Sequence, residues 1–206
     1  LARKRATSFR SFGMCAAESS PGFIVENPKW VRKTPHEAPP TRGILSLYNR
    51  VDRRRWYWRC VMPKCRKAFE PSFDLLEYPI SADKMESAEM AILRCPHCRG
   101  TYSHDPAGGK PGKHEFNQEG RWVRDGMRWI DDKVVGTPIR SDIASFWLKG
   151  VAAAFSDWKT LVFNYLSAEE DYESTQSEES LKTTVNTDQG EPYVPKSMKN
   201  DRDPTT

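Results

Sequence analysis

Four of the five cysteines are spaced so that they could do chemistry together: Cys60 and Cys65 form a C-x4-C pair, and Cys95 and Cys98 form a C-x2-C pair. Two thiolates from each of two tight turns can converge on one ion, and four sulfurs fill a tetrahedral zinc shell with no position left for water. A closed shell of that kind holds shape and does not activate a nucleophile. The second pair, Cys95-Pro96-His97-Cys98-Arg99-Gly100, has the glycine that lets thiolates and backbone amides turn onto one ion. The first, Cys60-Val61-Met62-Pro63-Lys64-Cys65, is wider than the usual two-residue gap. Arg59, Lys64, Arg66, Arg94 and Arg99 would offset the negative charge of a zinc bound by four thiolates. Free buried thiols, or His97 or His104 in place of one cysteine, are the alternatives. Cys15, in the small apolar run Gly13-Met14-Cys15-Ala16-Ala17, reads as a core residue of a short buried strand. No secretory pattern precedes these cysteines, which favours a reducing compartment and metal binding over disulfides.

A second candidate is the run from Asn49 to Arg59, which interleaves arginines with Trp56, Tyr57 and Trp58. Guanidinium groups pair with phosphates and aromatic rings stack on bases, so Arg50, Arg53, Arg54, Arg55 and Arg59 are candidate nucleic-acid contacts. The competing reading is a strand with aromatics in the core and arginines in water. Charge asymmetry supports a polyanionic partner: residues 1–67 hold 16 cationic and 4 acidic residues, +12, so a net charge of +4 leaves −8 for the remainder. Glu18-Ser19-Ser20-Pro21-Gly22 follows the small apolar run. A hydroxyl motif at the end of a core strand can couple ATP hydrolysis to movement in P-loop motors, and it can equally be an ordinary strand exit. The chain has no Walker glycine loop to hold ATP. No catalytic constellation is found: Glu169-Glu170-Asp171 reads as a solvated charge run, and His36 and His114 stand alone in loops.

These groups need elements to position them. The spacing predicts that each cysteine pair ends a β-prone run, Trp56-Tyr57-Trp58 before Cys60 and Ile92-Leu93 before Cys95, with a short helix over 82–91 between them. Gly43 to Tyr48 reads as a strand or a helical turn, and 120–123 with 127–130 as a hairpin. Trp158, Leu161, Val162, Tyr165 and Leu166 recur at helical spacing behind a Ser156-Asp157 cap, with the acidic stretch 169–173 ending that helix. A second helix is expected over about 176–187, stopped by Gly190-Glu191-Pro192. With 29% charged residues, mean hydropathy −0.74 and no apolar run near the ~18 residues that span a bilayer, the reading is a soluble protein with no membrane partner.

The order of these segments resembles the lambda-like family of phage terminase large subunits. The resemblance is carried by Leu1-Ala2-Arg3-Lys4-Arg5 through Glu18-Ser19-Ser20-Pro21-Gly22, Gly43 to Tyr48, Asp52-Arg53-Arg54-Arg55-Trp56, the two cysteine pairs and Gly120-Arg121-Trp122. It ends with Ser145-Phe146-Trp147-Leu148-Lys149-Gly150, the Trp158 helix, and Leu181 to Thr187 closing on Gly190-Glu191-Pro192-Tyr193. The C-x4-C spacing and Phe155-Ser156-Asp157-Trp158 depart from the family pattern. The resemblance implies an α/β protein: the tail of a P-loop ATPase fold over 1–48, a small zinc-ribbon-like β insertion over 49–135, a helical segment leading to a nuclease domain over 136–195, and a mobile tail over 196–206. It makes the chain a central fragment in which Ser19, Ser20 and Pro21 are the coupling motif. It implies ATP and Mg in the intact protein, a structural zinc, double-stranded DNA, a small subunit and a portal protein as partners, and the cytoplasm of the host bacterium as the setting. A stand-alone zinc-ribbon adaptor and a helicase fragment are the rival readings.

Overall fold

The computed structural model describes residues 14–27 and 29–200; the basic stretch from Leu1 to Arg5 and the end of the chain from Asp201 lie outside the described residues. Its centre is the strand β1 (Arg54–Arg59), where aromatic and arginine side chains favour extended backbone and both faces find cover. It pairs antiparallel with β2 (Ala68–Phe69), bringing Trp58 opposite Phe69. A second small sheet holds β3 (Leu76–Glu77), β4 (Ile92–Arg94) and β5 (Thr101–Ser103), all antiparallel, with Leu93 opposite Leu76 and Tyr102.

Helices close these sheets. The short α1 (Ile44–Tyr48) resolves the ambiguity at 43–48 in favour of a helical turn. Asp83 accepts a hydrogen bond from the Met85 amide at 2.8 Å and starts α2 (Lys84–Glu89), inside the predicted 82–91 span. α3 (Lys113–Glu119) follows the glycine-rich loop and buries Phe116. Asp157 caps α4 (Trp158–Thr175) by accepting from the Thr160 amide at 2.5 Å, as the Ser156-Asp157 cap predicts. The acidic stretch does not end this helix. Glu169 accepts from Tyr165 Oη at 2.7 Å and Glu170 pairs with Lys84, so partners disperse the charge and α4 runs on until Gln176 adopts a left-handed φ of 58°.

The predicted 120–130 hairpin is also corrected. Strand β6 (Arg121–Arg124) pairs antiparallel with β1, while β7 (Met127–Ile130) pairs with β8 (Lys133–Gly136) across the Asp131-Asp132 turn. The cause is long range: the Asp125 amide donates to the Asp52 and Arg53 carbonyls, which ties the end of β6 to the start of β1. Strand β9 (Phe146–Trp147) joins the other edge of β1 in parallel. After α4 come α5 (Glu179–Thr183), a π-helical turn over Thr184–Asp188 and a short helix α6 (Lys196–Asn200).

Residues 14–17 form no strand and are exposed, so Cys15 is no core residue, and Gly13 lies outside the described residues. None of the described strands lies beside this run to pair with it. The main core gathers Trp58, Phe69, Leu93, Tyr102, Phe116, Trp158, Leu161 and Val162 together with Cys60 and Cys95. Trp58 stacks on Phe116 at 5.1 Å, and Trp58 and Trp158 are both 0% exposed.

Candidate metal centre

Each cysteine pair closes a knuckle at the end of a strand, as predicted. After β1, the Cys65 and Arg66 amides donate to the Met62 carbonyl and the Cys60 amide donates to that of Lys67 at 3.0 Å. After β4, the Arg99 amide donates to Cys95 and the Cys95 amide to Gly100. A β-carbon on Gly100 would lie 2.8 Å from Met62 Cε and 3.3 Å from Cys98 Sγ, so glycine lets one knuckle approach the other. The four sulfurs lie within 4.8 Å of one another. Cys60 Sγ is 3.6 Å from Cys98 Sγ and Cys65 Sγ is 4.0 Å from Cys95 Sγ. A tetrahedron with ~2.3 Å metal–sulfur bonds has edges of about 3.8 Å, which these distances bracket. The cluster could hold a metal ion.

Neither histidine joins the sulfurs. His97 is exposed and its Nε2 meets the Ala68 carbonyl at 3.1 Å, while the His104 ring sits edge-on to Trp158. Tyr102 Oη lies 3.0 Å from Cys60 Sγ, a contact sequence reasoning missed, since only the β4–β5 pairing brings Tyr102 beside the first knuckle. Burial pushes the Cys60 thiol up to about 12 and raises Cys95 as well. At Cys98 burial acts in the same direction, but the Gly100 amide and the neighbouring thiols outweigh it and bring the thiol below its ordinary value. A cation entering here must displace protons, so its binding is coupled to pH.

The arginines expected to face nucleic acid are for the most part engaged by protein. Arg55 is 4% exposed, meets Glu70 at 3.0 Å and Tyr48 Oη at 3.1 Å, and lies 3.7 Å over the Trp147 ring, so no phosphate can reach it. Burial opposes its charge, yet Glu70, Tyr48 and Glu191 outweigh this and raise its pKa. Arg53 pairs with the fully buried Asp125 at 3.0 Å, Arg54 with Asp52 at 2.7 Å, and Arg59 with Asp132 at 2.6 Å. Arg50 bonds Ser46 Oγ at 3.3 Å and has no carboxylate partner among the described residues. The opposition of aromatic core to solvated arginine also fails, because β1 is covered on both faces and buries Arg55 as well as Trp58. His36 is no solitary loop residue: it is buried between the Arg53 carbonyl at 2.9 Å and Tyr57 Oη at 3.0 Å. Ser19 and Ser20 are exposed, Pro21 is buried, and none of them stands at a strand end; Ser19 Oγ donates to the Ser20 carbonyl at 2.9 Å.

The fold is mixed α/β, and it brings four cysteine sulfurs together where they could hold a metal ion. Two family matches say where such a module works: the phage terminase large subunit gpA ATPase domain over residues 1–122, and the terminase large subunit gpA endonuclease domain over residues 143–205. The chain belongs to the phage terminase large subunit gpA family, which acts in phage DNA packaging. No curated protein and no solved structure matches it. All four cysteines fall inside the ATPase-domain match, and α4 falls inside the endonuclease-domain match. Among the described residues no helix is long and apolar enough to cross a membrane.

Proposed function

We propose that the four cysteines hold one structural zinc that braces the junction between the ATPase-family and endonuclease-family parts of a DNA-packaging motor. The observation that carries this is the shared core: Cys60 and Cys95 pack in one cluster with Trp158, Leu161 and Val162 of α4. Further ties cross the same junction. Lys113 donates to the Ala153 and Ser156 carbonyls, Asn117 Nδ2 to Ala152 at 2.8 Å, and Lys149 lies 3.6 Å from Glu70. The donor set fits zinc, being all sulfur, tetrahedral in spacing and closed. In this reading 1–48 is the end of a P-loop ATPase domain, 49–135 a zinc-ribbon-like insertion, and 136–195 the lead into the nuclease, with the insertion and lead sharing the core.

In the intact protein ATP and Mg would drive translocation of double-stranded DNA and a nuclease would cut concatemers, with small subunit and portal as partners in the host cytoplasm. Ser19, Ser20 and Pro21 are proposed to couple hydrolysis to movement there. Hydrolysis is not proposed for these 206 residues, which lack a Walker glycine loop. The adjoining terminase matches favour this over an adaptor or a helicase.

Elemental analysis of purified protein tests the brace: one zinc per chain is expected, and chelation should loosen α4, read as faster amide exchange over 158–168. No metal, or exchange in α4 indifferent to chelator, would refute it.

A further inference from the structure

In both knuckles the residue after the second cysteine is left-handed, Arg66 at φ 53° and Arg99 at φ 64°. A residue with a β-carbon is strained there and glycine is not, so an arginine in each position calls for an interaction that offsets the strain. Arg99 has one, Glu77 at 2.9 Å. Arg66 is exposed and makes no side-chain hydrogen bond or ion pair among the described residues. Its charge is felt by Asp132, but that carboxylate already pairs with Arg59 at 2.6 Å.

The surroundings are cationic. Lys64 and Lys67 flank Arg66 in the same turn, both exposed and without an ion-pair partner among the described residues. The neighbouring β7–β8 turn is held by Arg59, which donates to the Asp131 carbonyl, and by Arg121, which donates to that of Asp132 at 3.0 Å; Lys133 follows, exposed. Set against the two carboxylates of that turn, Asp131 and Asp132, the six cations of the two turns sum to +4, and a divalent ion on four thiolates would subtract two, leaving +2.

We propose that the tip of the first knuckle, Lys64, Arg66 and Lys67, is a contact for the phosphate backbone of DNA, held in shape by the metal. This rests on the reading of the chain as part of a DNA-packaging protein. Arg66 supplies a planar fork for one phosphate and the two lysines supply point charges beside it. None of the three offers a pattern for reading base edges, so the contact is independent of sequence, as a motor tracking along a genome needs. The metal organises this contact without touching DNA.

The test exploits the strain. The full chain, loaded with zinc, is titrated against a labelled duplex of arbitrary sequence at several salt concentrations. Arg66→Gly should keep one zinc per chain and an equal or higher melting temperature, while affinity falls about tenfold and the slope of log K against log salt drops by about 0.9. Arg66→Lys, which keeps the charge, should retain most of the binding. Binding by the wild type that is unchanged in Arg66→Gly and in Lys64→Ala/Lys67→Ala overturns the knuckle contact and leaves the DNA reading standing. A lower melting temperature in Arg66→Gly overturns the strain argument, showing that Arg66 holds the turn. Absence of duplex binding by the wild type at low salt overturns both readings, and tighter binding to polyglutamate than to duplex overturns the proposal in favour of an acidic protein surface.

Discussion

Arg55 separates a DNA contact from a structural charge, and replacing it with methionine should unfold the protein more readily without changing how it meets DNA. Arg55 is 4% exposed, and its guanidinium lies 3.0 Å from Glu70, whose side chain is 18% exposed. Removing one partner of a buried pair costs about 3–5 kcal/mol, because the other charge stays behind in a poor solvent. Glu70 is partly solvated and keeps Lys149 at 3.6 Å, so the lower end applies, about 3 kcal/mol. With a denaturant slope of about 3 kcal/mol/M, that moves the urea midpoint down by about 1 M. Glu70→Leu alone should cost a similar amount, since Arg55 is then buried without its carboxylate. The double variant Arg55→Met/Glu70→Leu should recover to within about 1 kcal/mol of the parent, because hydrophobic groups of similar volume replace the pair. The assay is equilibrium urea unfolding of the four proteins in one cycle, with duplex affinity measured under native conditions. A stable Arg55→Met protein with weakened duplex binding would refute the reasoning and return Arg55 to the DNA surface.

Tyr102→Phe removes the hydroxyl 3.0 Å from Cys60 Sγ and should weaken zinc affinity about 10–100-fold with the fold retained, read by competition with a chromogenic chelator alongside circular dichroism. Gly150→Ala would set a β-carbon 1.7 Å from the Asp188 carbonyl oxygen, which is backbone and cannot swing aside, so a loss of about 3 kcal/mol is expected from urea unfolding. His36 gives a pH dependence. Burial lowers its folded pKa below the ordinary 6.5, so the folded state binds the proton less readily than the unfolded chain. Its contribution is therefore fully present above about pH 6.5 and is lost as pH falls toward the depressed value, and His36→Gln should flatten the stability profile between pH 5 and 7.

The clustering of the four cysteines was legible in the sequence because its determinants are local. Each cysteine pair spans at most six residues, each follows a β-prone run, and a tight turn needs only its own backbone and Gly100 to aim two sulfurs. Helix α4 was legible at its start for the same reason, since Asp157 caps from one residue away and Trp158, Leu161 and Val162 share one face. Its end was not, because the partners that let Glu169 and Glu170 continue the helix include Lys84 and Lys196, far along the chain. The arginines of β1 mark the limit most clearly. A guanidinium reads alike in sequence whether it will face a phosphate, water or a carboxylate, and Arg59 finds its acid 73 residues away in a turn that no periodicity connects to it. Cys15 failed for a related reason: a small apolar run becomes a buried strand only where a neighbour pairs with it, and none of the described strands does. What the sequence by itself determined was the four cysteines that cluster, the strands that present them and the family resemblance. Which cations remain free for a partner was decided by tertiary structure alone, because charge neutralisation depends on groups brought together only when the sheet around β1 is assembled.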